Sequence, residues 1–387
     1  GGGVIAADAD VVNVKGCIRQ SPDDVTNKGE DFWLGFAYQN KMTQASSSAN
    51  KPYLTVYVAA GSQAANVVVE TPGIPGGYLV TQTIPANSTR AFTNFPDGAI
   101  AGIDTRLFAT GISNKGIHVY STNGAPVSVW MYIATTGNSA GGSMIFPTST
   151  WNSNYTVQSY AGKSNNGLPN SDFFVIANED DTKVTITPSA GITDPTQALV
   201  DNPAVLYPAN VPFTITLNKG QVFNAIGVIS GSGNAATSKG FDLSGTTVST
   251  TCEKKIAVFG GNGRCMVTTP QQCTEASVSA GSDNMIQQMI PSVAWDTKYF
   301  TVPTKTMEHN LYRIYVRVDT QKVWVNNETH VTALSNAINV VNGGAPTFTG
   351  NYTFTKFANS PGGYYSLETS YPIEIESSQP ISVTQFI

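Results

Sequence analysis

Apolar and polar residues alternate along most of this chain at the two-residue period of a β-strand, in short runs cut by Gly, Pro, Asn and Asp. Tyr53-Leu54-Thr55-Val56-Tyr57-Val58 runs through a Gly-containing turn into Val67-Val68-Val69. Phe173 to Ile176 runs through Asn178-Glu179-Asp180-Asp181 into Val184-Thr185-Ile186, and Tyr312 to Val316 runs through Asp319-Thr320 into Val323-Trp324-Val325. Each pair reads as a β-hairpin. Because side chains alternate across a strand, Val56 and Val58, Phe174 and Ile176, and Ile314 and Val316 are expected to point inward, with Thr185 on the opposite face. Helical periodicity is faint, and only Asp283 to Ile290 has room for one turn.

The hairpins fall at similar places within a longer repeat. Three strands of one wording close successive segments: Val127-Ser128-Val129, Ile256-Ala257-Val258 and Ile381-Ser382-Val383, about 129 and then 125 positions apart. Pro147, Trp151 and Tyr155 keep the same spacing as Pro291, Trp295 and Tyr299. A period of that length is a whole small domain, too long for one turn of a solenoid. The expectation is an all-β chain of three tandem β-sandwich units, jelly-roll or Ig-like. Residues 1–29 form an N-terminal segment with strand character, followed by units at 30–142, 143–282 and 283–387. The first unit lacks the Pro-x3-Trp spacing and opens on Asp31-Phe32-Trp33-Leu34-Gly35-Phe36. The middle unit carries a long insertion, Ile192 to Pro212, expected to be a surface loop.

Composition narrows the setting. Only 12% of the 387 residues are charged, about half the usual quarter, and Ser, Thr, Asn, Gly and Val take their place. The net charge of −5 disfavours nucleic acid or an anionic membrane surface as a partner. No stretch has the roughly 20 apolar residues of a membrane span. No charged-then-apolar leader opens the chain, which therefore reads as a mature form or a fragment. Four cysteines stand at 17, 252, 265 and 273 with no Cys-x2-Cys pair, so a zinc ribbon is not expected. Of three connectivities, Cys265 with Cys273 is the natural local pair, flanking a Thr-Thr-Pro turn; Cys17 would then lie beside Cys252. Four Asn-x-Ser/Thr acceptors, Asn87, Asn154, Asn327 and Asn351, are glycosylation candidates in a secretory setting. Disulfides favour an extracellular location.

Catalytic chemistry finds little support. The three histidines, His118, His309 and His330, show no metal-ligand spacing, and His118 reads as an ordinary strand-face residue. Gly137-Asn138-Ser139-Ala140-Gly141 matches the Gly-x-Ser-x-Gly nucleophile elbow, but no helix follows to complete it, and a linker is expected. Glu179-Asp180-Asp181 at a hairpin tip is a candidate calcium loop beside its plainer role in turn geometry. Asp8 and Asp10 near Asp23 and Asp24 are a second calcium candidate. No other cofactor is implied. Exposed aromatics stack on the apolar faces of sugars. Among Trp33, Trp130, Trp151, Trp295 and Trp324, the repeat-equivalent Trp151 and Trp295 read as packing residues. Tyr364 and Tyr365, after the loop Pro361-Gly362-Gly363, are the sugar-stacking candidates.

Several segments together resemble the N-terminal domain of the IgGFc-binding protein family. They are Asp31-Phe32-Trp33; Trp151-x3-Tyr155-x4-Tyr160; and Phe174-Val175-Ile176-Ala177-Asn178-Glu179-Asp180-Asp181-Thr182 with Val184-Thr185-Ile186. Leu217-Asn218-Lys219-Gly220-Gln221-Val222, Asp242-Leu243-Ser244-Gly245-Thr246, Ile256-Ala257-Val258-Phe259, Cys265 with Cys273, and Gln287-Gln288-x2-Pro291 extend the likeness. It spans about residue 30 to the C-terminus and is densest in the middle unit; Gly260-Gly261-Asn262-Gly263 departs from it. The resemblance implies a domain found in a mucus protein and in bacterial surface adhesins. Its function would be extracellular and non-enzymatic: binding of a glycoprotein, a glycan or another surface partner. The name does not imply immunoglobulin binding here. The rival expectation is a self-associating subunit of a surface fibre, a homopolymer formed by strand exchange through the N-terminal segment. Val4-Ile5, Val11-Val12 and Val14 give that segment its strand character, and an edge strand on the chain's own sheet, pinned by Cys17, is the alternative. A secreted hydrolase using Ser139 is a third, distant class.

Overall fold

The computed structural model describes residues 26–136, 139–164, 168–194, 204–230, 241–251, 253–267, 282–302, 304, 310–318, 320–326, 336–339, 352–357, 361–369 and 372–386. These residues form antiparallel sheets, with two single-turn 3-10 helices at Thr148–Thr150 and Ser292–Ala294. The stretch given room for a helical turn is the strand Asp283–Gln288.

One strand order recurs along the chain. A four-stranded sheet runs Asp31–Leu34, Ile117–Ser121, Ala65–Glu70, Leu79–Ile84. Facing it, Val127–Ala134, Tyr53–Ala60 and Thr89–Phe92 lie side by side, with Lys28–Gly29 and Ala140–Ile145 added at the Val127–Ala134 edge. The same pattern returns as Asn154–Thr156, Thr247–Thr250, Thr182–Thr187, Phe213–Leu217 opposite Ile256–Cys265, Ser171–Ala177, Val222–Ile226. It returns again as Asp296–Thr301, Ile373–Phe386, Lys322–Asn326, Asn336–Asn339, and there the 14-residue strand Ile373–Phe386 continues into the second layer beside Asn310–Val316.

The two Pro-x3-Trp-x3-Tyr segments adopt one geometry. Trp151 Nε1 donates to the Phe146 carbonyl and Trp295 Nε1 to the Ile290 carbonyl, each at 3.4 Å. Tyr155 Oη donates to the carbonyl of Ile256, and Tyr299 Oη to that of Ile381, both at 2.8 Å. The spacing thus ties the opening strand of each segment to the first residue of its closing triplet, Ile256-Ala257-Val258 or Ile381-Ser382-Val383. That is why the two sequence signals travel together.

The strand pairings cross the boundaries expected from sequence. Residues 142 and 143 both lie within the strand Ala140–Ile145, which pairs with Val127–Ala134 of the first sheets. Asp283–Gln288 pairs with Ile256–Cys265 and so belongs to the middle sheet, not to the part that follows. The short strand Gly111–Ser113 leaves the first part to pair with Val222–Ile226. Hydrogen-bond demand at sheet edges, rather than Gly-rich composition, decides where these strands go.

The three hairpins expected from sequence do not form. Tyr53–Ala60 and Ala65–Glu70, Ser171–Ala177 and Thr182–Thr187, and Asn310–Val316 and Lys322–Asn326 do not pair with each other but lie in facing layers, the turn between them carrying the chain across the core. Alternation nevertheless places Val56 and Val58 in one core, and Ile314 and Val316 in another, as expected. Phe174 and Ile176 depart from expectation. They are buried, but they face the first core, with Val56 and Val129, while Phe173 and Val175 fill the middle core with Val184, Ile186 and Val258. Every residue of Ser171–Ala177 is buried, so the apolar run Phe-Phe-Val-Ile serves two cores and hides the two-residue period. Thr185 lies on the exposed face of its strand, 3.1 Å from Thr214 Oγ1.

On the same two-sided strand, Asp172 is fully buried and neither carboxylate oxygen has a hydrogen-bond partner. Burial pushes its carboxyl well above the usual carboxylate range. The folded chain therefore keeps a proton that the unfolded chain releases. Stability is fully present below the unfolded value of about 3.9 and falls as pH rises toward the raised folded value. Asp172→Asn is expected to flatten that decline and to add about 1–3 kcal/mol at neutral pH, read by chemical denaturation at several pH values. An unchanged pH profile would show that Asp172 is not the titrating group.

Candidate functional site

The residues singled out from sequence are mostly committed to structure. Asp180 Oδ1 accepts from the Lys219 backbone N–H at 2.9 Å, and Glu179 Oε2 pairs with Lys254 Nζ at 3.2 Å. Asp181 takes the left-handed conformation of the turn, φ 52°. Among the described residues, no group of three or more His, Cys, Asp or Glu side chains is placed to hold a metal. Ser139 is buried, accepting from Gln39 Nε2 at 2.7 Å with Asn40 Oδ1 at 3.3 Å, so its hydroxyl is not presented as a nucleophile. Asn87 and Asn154 are exposed. Cys265 is buried with Sγ 3.9 Å from Met285 Sδ, and burial pushes its thiol upward. Cys17, Cys252, Cys273, Asn327, Asn351, Asp8, Asp10, Asp23, Asp24 and the whole stretch 1–16 lie outside the described residues.

Tyr364 and Tyr365 are buried rather than presented at a loop end. Tyr365 fills the last core, and the Tyr364 ring is taken by Arg313, whose guanidinium lies 4.3 Å from its centroid. That guanidinium also faces Tyr160 at 4.7 Å and Phe386 at 5.2 Å. Arg313 Nη1 donates to Asp242 Oδ2 at 2.9 Å, the Ser159 carbonyl at 3.0 Å and Ser244 Oγ at 3.1 Å. The middle and last sheets thus meet on a buried cation paired with Asp242, and the aromatics that surround it are packing residues. Trp151 and Trp295 are buried too.

His118 stands on the outer face of the first four-stranded sheet, opposite both Trp33 and Glu70. Its Nε2 lies 2.6 Å from Asp31 Oδ1, its Nδ1 lies 3.2 Å from Glu70 Oε1, and its ring stacks on Trp33 at 4.1 Å. Thr148 Oγ1 donates to the other Asp31 oxygen at 2.8 Å. Burial pushes the Asp31 carboxyl up, but the bonds from His118 and Thr148 outweigh it and hold it below its ordinary value. Trp33 is capped by Gly220 of the middle part, whose φ is +78° and where an added Cβ would lie 2.8 Å from Trp33 Cζ3. The cluster ties three strands and a neighbouring turn together.

A different surface is left unused by the fold. On the outer face of the first five-stranded sheet, Tyr57 is paired with Trp130, and Trp130 in turn with Met144. Tyr132 lies opposite Thr55, and Tyr53 opposite Ala134. Tyr53 is 55% exposed, Tyr57 37% and Tyr132 39%, whereas Thr55 between them is 7% exposed. Trp130 was among the aromatics named from sequence; Tyr53, Tyr57 and Tyr132 were not. Their signal was parity: they alternate with Val56, Val58, Val129 and Met131, all of which are buried. Elsewhere, a cleft of about 240 Å³ lies beside Phe300 and Val302, floored by Tyr299 and Tyr312.

The family described as IgGFc binding protein matches residues 141–387, more than half of the chain. The match starts at the edge strand Ala140–Ile145 and leaves out Asp31-Phe32-Trp33, so it is shorter than the likeness read from sequence. No curated protein matches the chain, and no solved structure does.

The Trp33 cap can be tested alone. Gly124 shares the left-handed backbone, φ +71°, with nothing within 4 Å of an added Cβ. Gly220→Ala and Gly124→Ala therefore carry the same backbone strain, about 1–3 kcal/mol, and only the first also strikes Trp33. Gly220→Ala is expected to cost measurably more in thermal unfolding; equal losses would mean that the Trp33 contact is slack.

Proposed function

The chain belongs to the IgGFc binding protein family, and on that premise we propose that it is an extracellular binding module that holds a glycoprotein-type partner and performs no chemistry on it. The family match over residues 141–387 carries this reading. The placement of candidate catalytic groups supports it: Ser139 is buried and bonded, and His118 is enclosed by Asp31, Glu70 and Trp33. No helix of the described residues is long and apolar enough to cross a membrane. The recurring strand order supports three tandem β-sandwiches, which would act as a rigid stack that carries recognition surfaces on its outer faces and turns.

Binding in this reading requires no metal. The full chain, immobilised, is expected to retain glycoproteins from a panel that includes mucin-type proteins and, as a separate arm, immunoglobulin G, and retention is expected to survive EDTA. Failure to retain any glycoprotein would overturn the reading, and loss on chelation would return Glu179-Asp180-Asp181 to consideration as a calcium loop.

A second reading, the self-associating fibre subunit, draws on one observation. Among the described residues the edge strand Asp296–Thr301 pairs only with Ile373–Phe386, and Phe300 within it and Val302 beside it are 70% and 71% exposed. Such an edge is a template for another chain. Sedimentation over a range of concentrations is expected to show polymers if this reading holds, and a monomer throughout removes it.

A further inference from the structure

We infer that the outer face of the first five-stranded sheet is a carbohydrate-binding platform, built on Tyr53, Tyr57, Trp130 and Tyr132, and that its ligand is an uncharged oligosaccharide. The inference goes beyond the family reading, because Gly142 and Met144 are the only positions of this face inside the matched region.

The first argument is the placement of the rings. The solvent side of an antiparallel sheet is ordinarily polar, yet here four aromatics occupy it on two adjacent strands. The directly opposed pair Tyr57 and Trp130 has a structural use, since cross-strand aromatic pairs stabilise sheets. Tyr53 has none: it faces Ala134 and is the most exposed tyrosine of the set. Small neighbours such as Ala59, Ala91 and Gly142 leave the rings standing above the sheet.

The second argument is charge. Taken by register, the positions of this face on Tyr53–Ala60, Thr89–Phe92, Val127–Ala134 and Ala140–Ile145 include no acidic and no basic residue. Lys28, opposite Ser128, stands at one edge, and Asp283, which accepts from the Ala140 backbone N–H, borders the face at another. The opposing sheet of the same core carries Asp31, Glu70 and His118 outward, so the neutrality belongs to this face and not to the whole block. A sulfated or sialylated chain finds no counter-charge here beyond that edge lysine. A neutral sugar needs none, because its C–H face stacks on an aromatic ring while its hydroxyls meet those of Tyr and Thr.

The third argument is spacing. Trp130 and Tyr132 are two residues apart along their strand, about 7 Å, and Tyr53 and Tyr57 are four apart, about 14 Å. Rings at near-multiples of one distance suit a linear ligand of repeating units, which is what an oligosaccharide is.

The test uses the full chain on an array of neutral linear oligosaccharides and their sialylated or sulfated counterparts. Wild type is expected to retain neutral forms, and Tyr57→Ala or Tyr132→Ala to weaken retention about tenfold or more. Leu79→Ala, an exposed apolar residue on the outer face of the opposing sheet, is expected to leave it unchanged. Tyr53→Ala, the most exposed position, gives the same reading should the other two variants melt early. The proposal is overturned if no neutral glycan is retained, if the tyrosine variants bind as wild type does, or if only charged forms bind. It is also overturned if wild type self-associates and either tyrosine substitution abolishes that, because the face then joins two copies of this chain. Glycoprotein retention that persists in the tyrosine variants would refute this face alone and leave the family reading standing.

Discussion

The three adjacent strands Ile256–Cys265, Ser171–Ala177 and Val222–Ile226 have no solvent face, and the parts on either side of them are arranged around that constraint. A sheet buried on both sides must find apolar cover twice. It does so by sending Phe173 and Val175 into one core and Phe174 and Ile176 into the next. Phe174 stacks on Phe259 at 4.3 Å across the strand pair, so the apolar layer is continuous between the first and middle parts. Once that layer is shared, neither part can present its core-facing surface to water without the other. The exchange of Gly111–Ser113 and Asp283–Gln288 across the same sheet follows from it, since both edges lie beside the joint.

The next joint rests on a different balance. Between the middle and last parts the buried face is mixed, with Arg313 held by Asp242, Ser159 and Ser244 and enclosed by three aromatic rings. Buried ion pairs add little net stability over apolar packing, but a lone buried charge is costly, so such a pair enforces one arrangement rather than a strong one. Gln158 adds to it, donating to Ser382 Oγ at 2.8 Å and accepting from Thr384. One joint is therefore set by apolar area and the other by the matching of specific polar groups.

Much of this was legible in the residues. The strands and the inward set at Val56, Val58, Ile314 and Val316 follow from alternation, and the family from the likeness of the motif segments. The hairpins do not, because alternation marks a strand without saying which sheet it joins. The equivalence of Trp151 and Trp295 was also legible, and its physical content is the tyrosine bond to the closing strand. What escaped was anything decided by the joints. Phe174 and Ile176 could not be assigned to a core from a run in which every position is apolar. Tyr364 reads as a loop-end ring until Arg313, fifty-one positions earlier in the numbering, is seen to occupy it. The outer aromatic face was present as parity in Tyr53-Leu54-Thr55-Val56-Tyr57, but a repeat-centred reading weights the residues that recur, and these do not.

The strand Ile373–Phe386 passes unbroken from one layer to the facing one. In the first part the corresponding positions are two separate strands, Ile117–Ser121 and Val127–Ala134, joined by a turn. The difference is mechanical. Tension that pries the two layers of the first part apart is resisted by side-chain packing and stretches a connecting turn. In the last part the same tension runs along a covalent backbone already in extended form, with little slack to give. The layers of the last part are therefore coupled along one extended backbone, and those of the first through a turn.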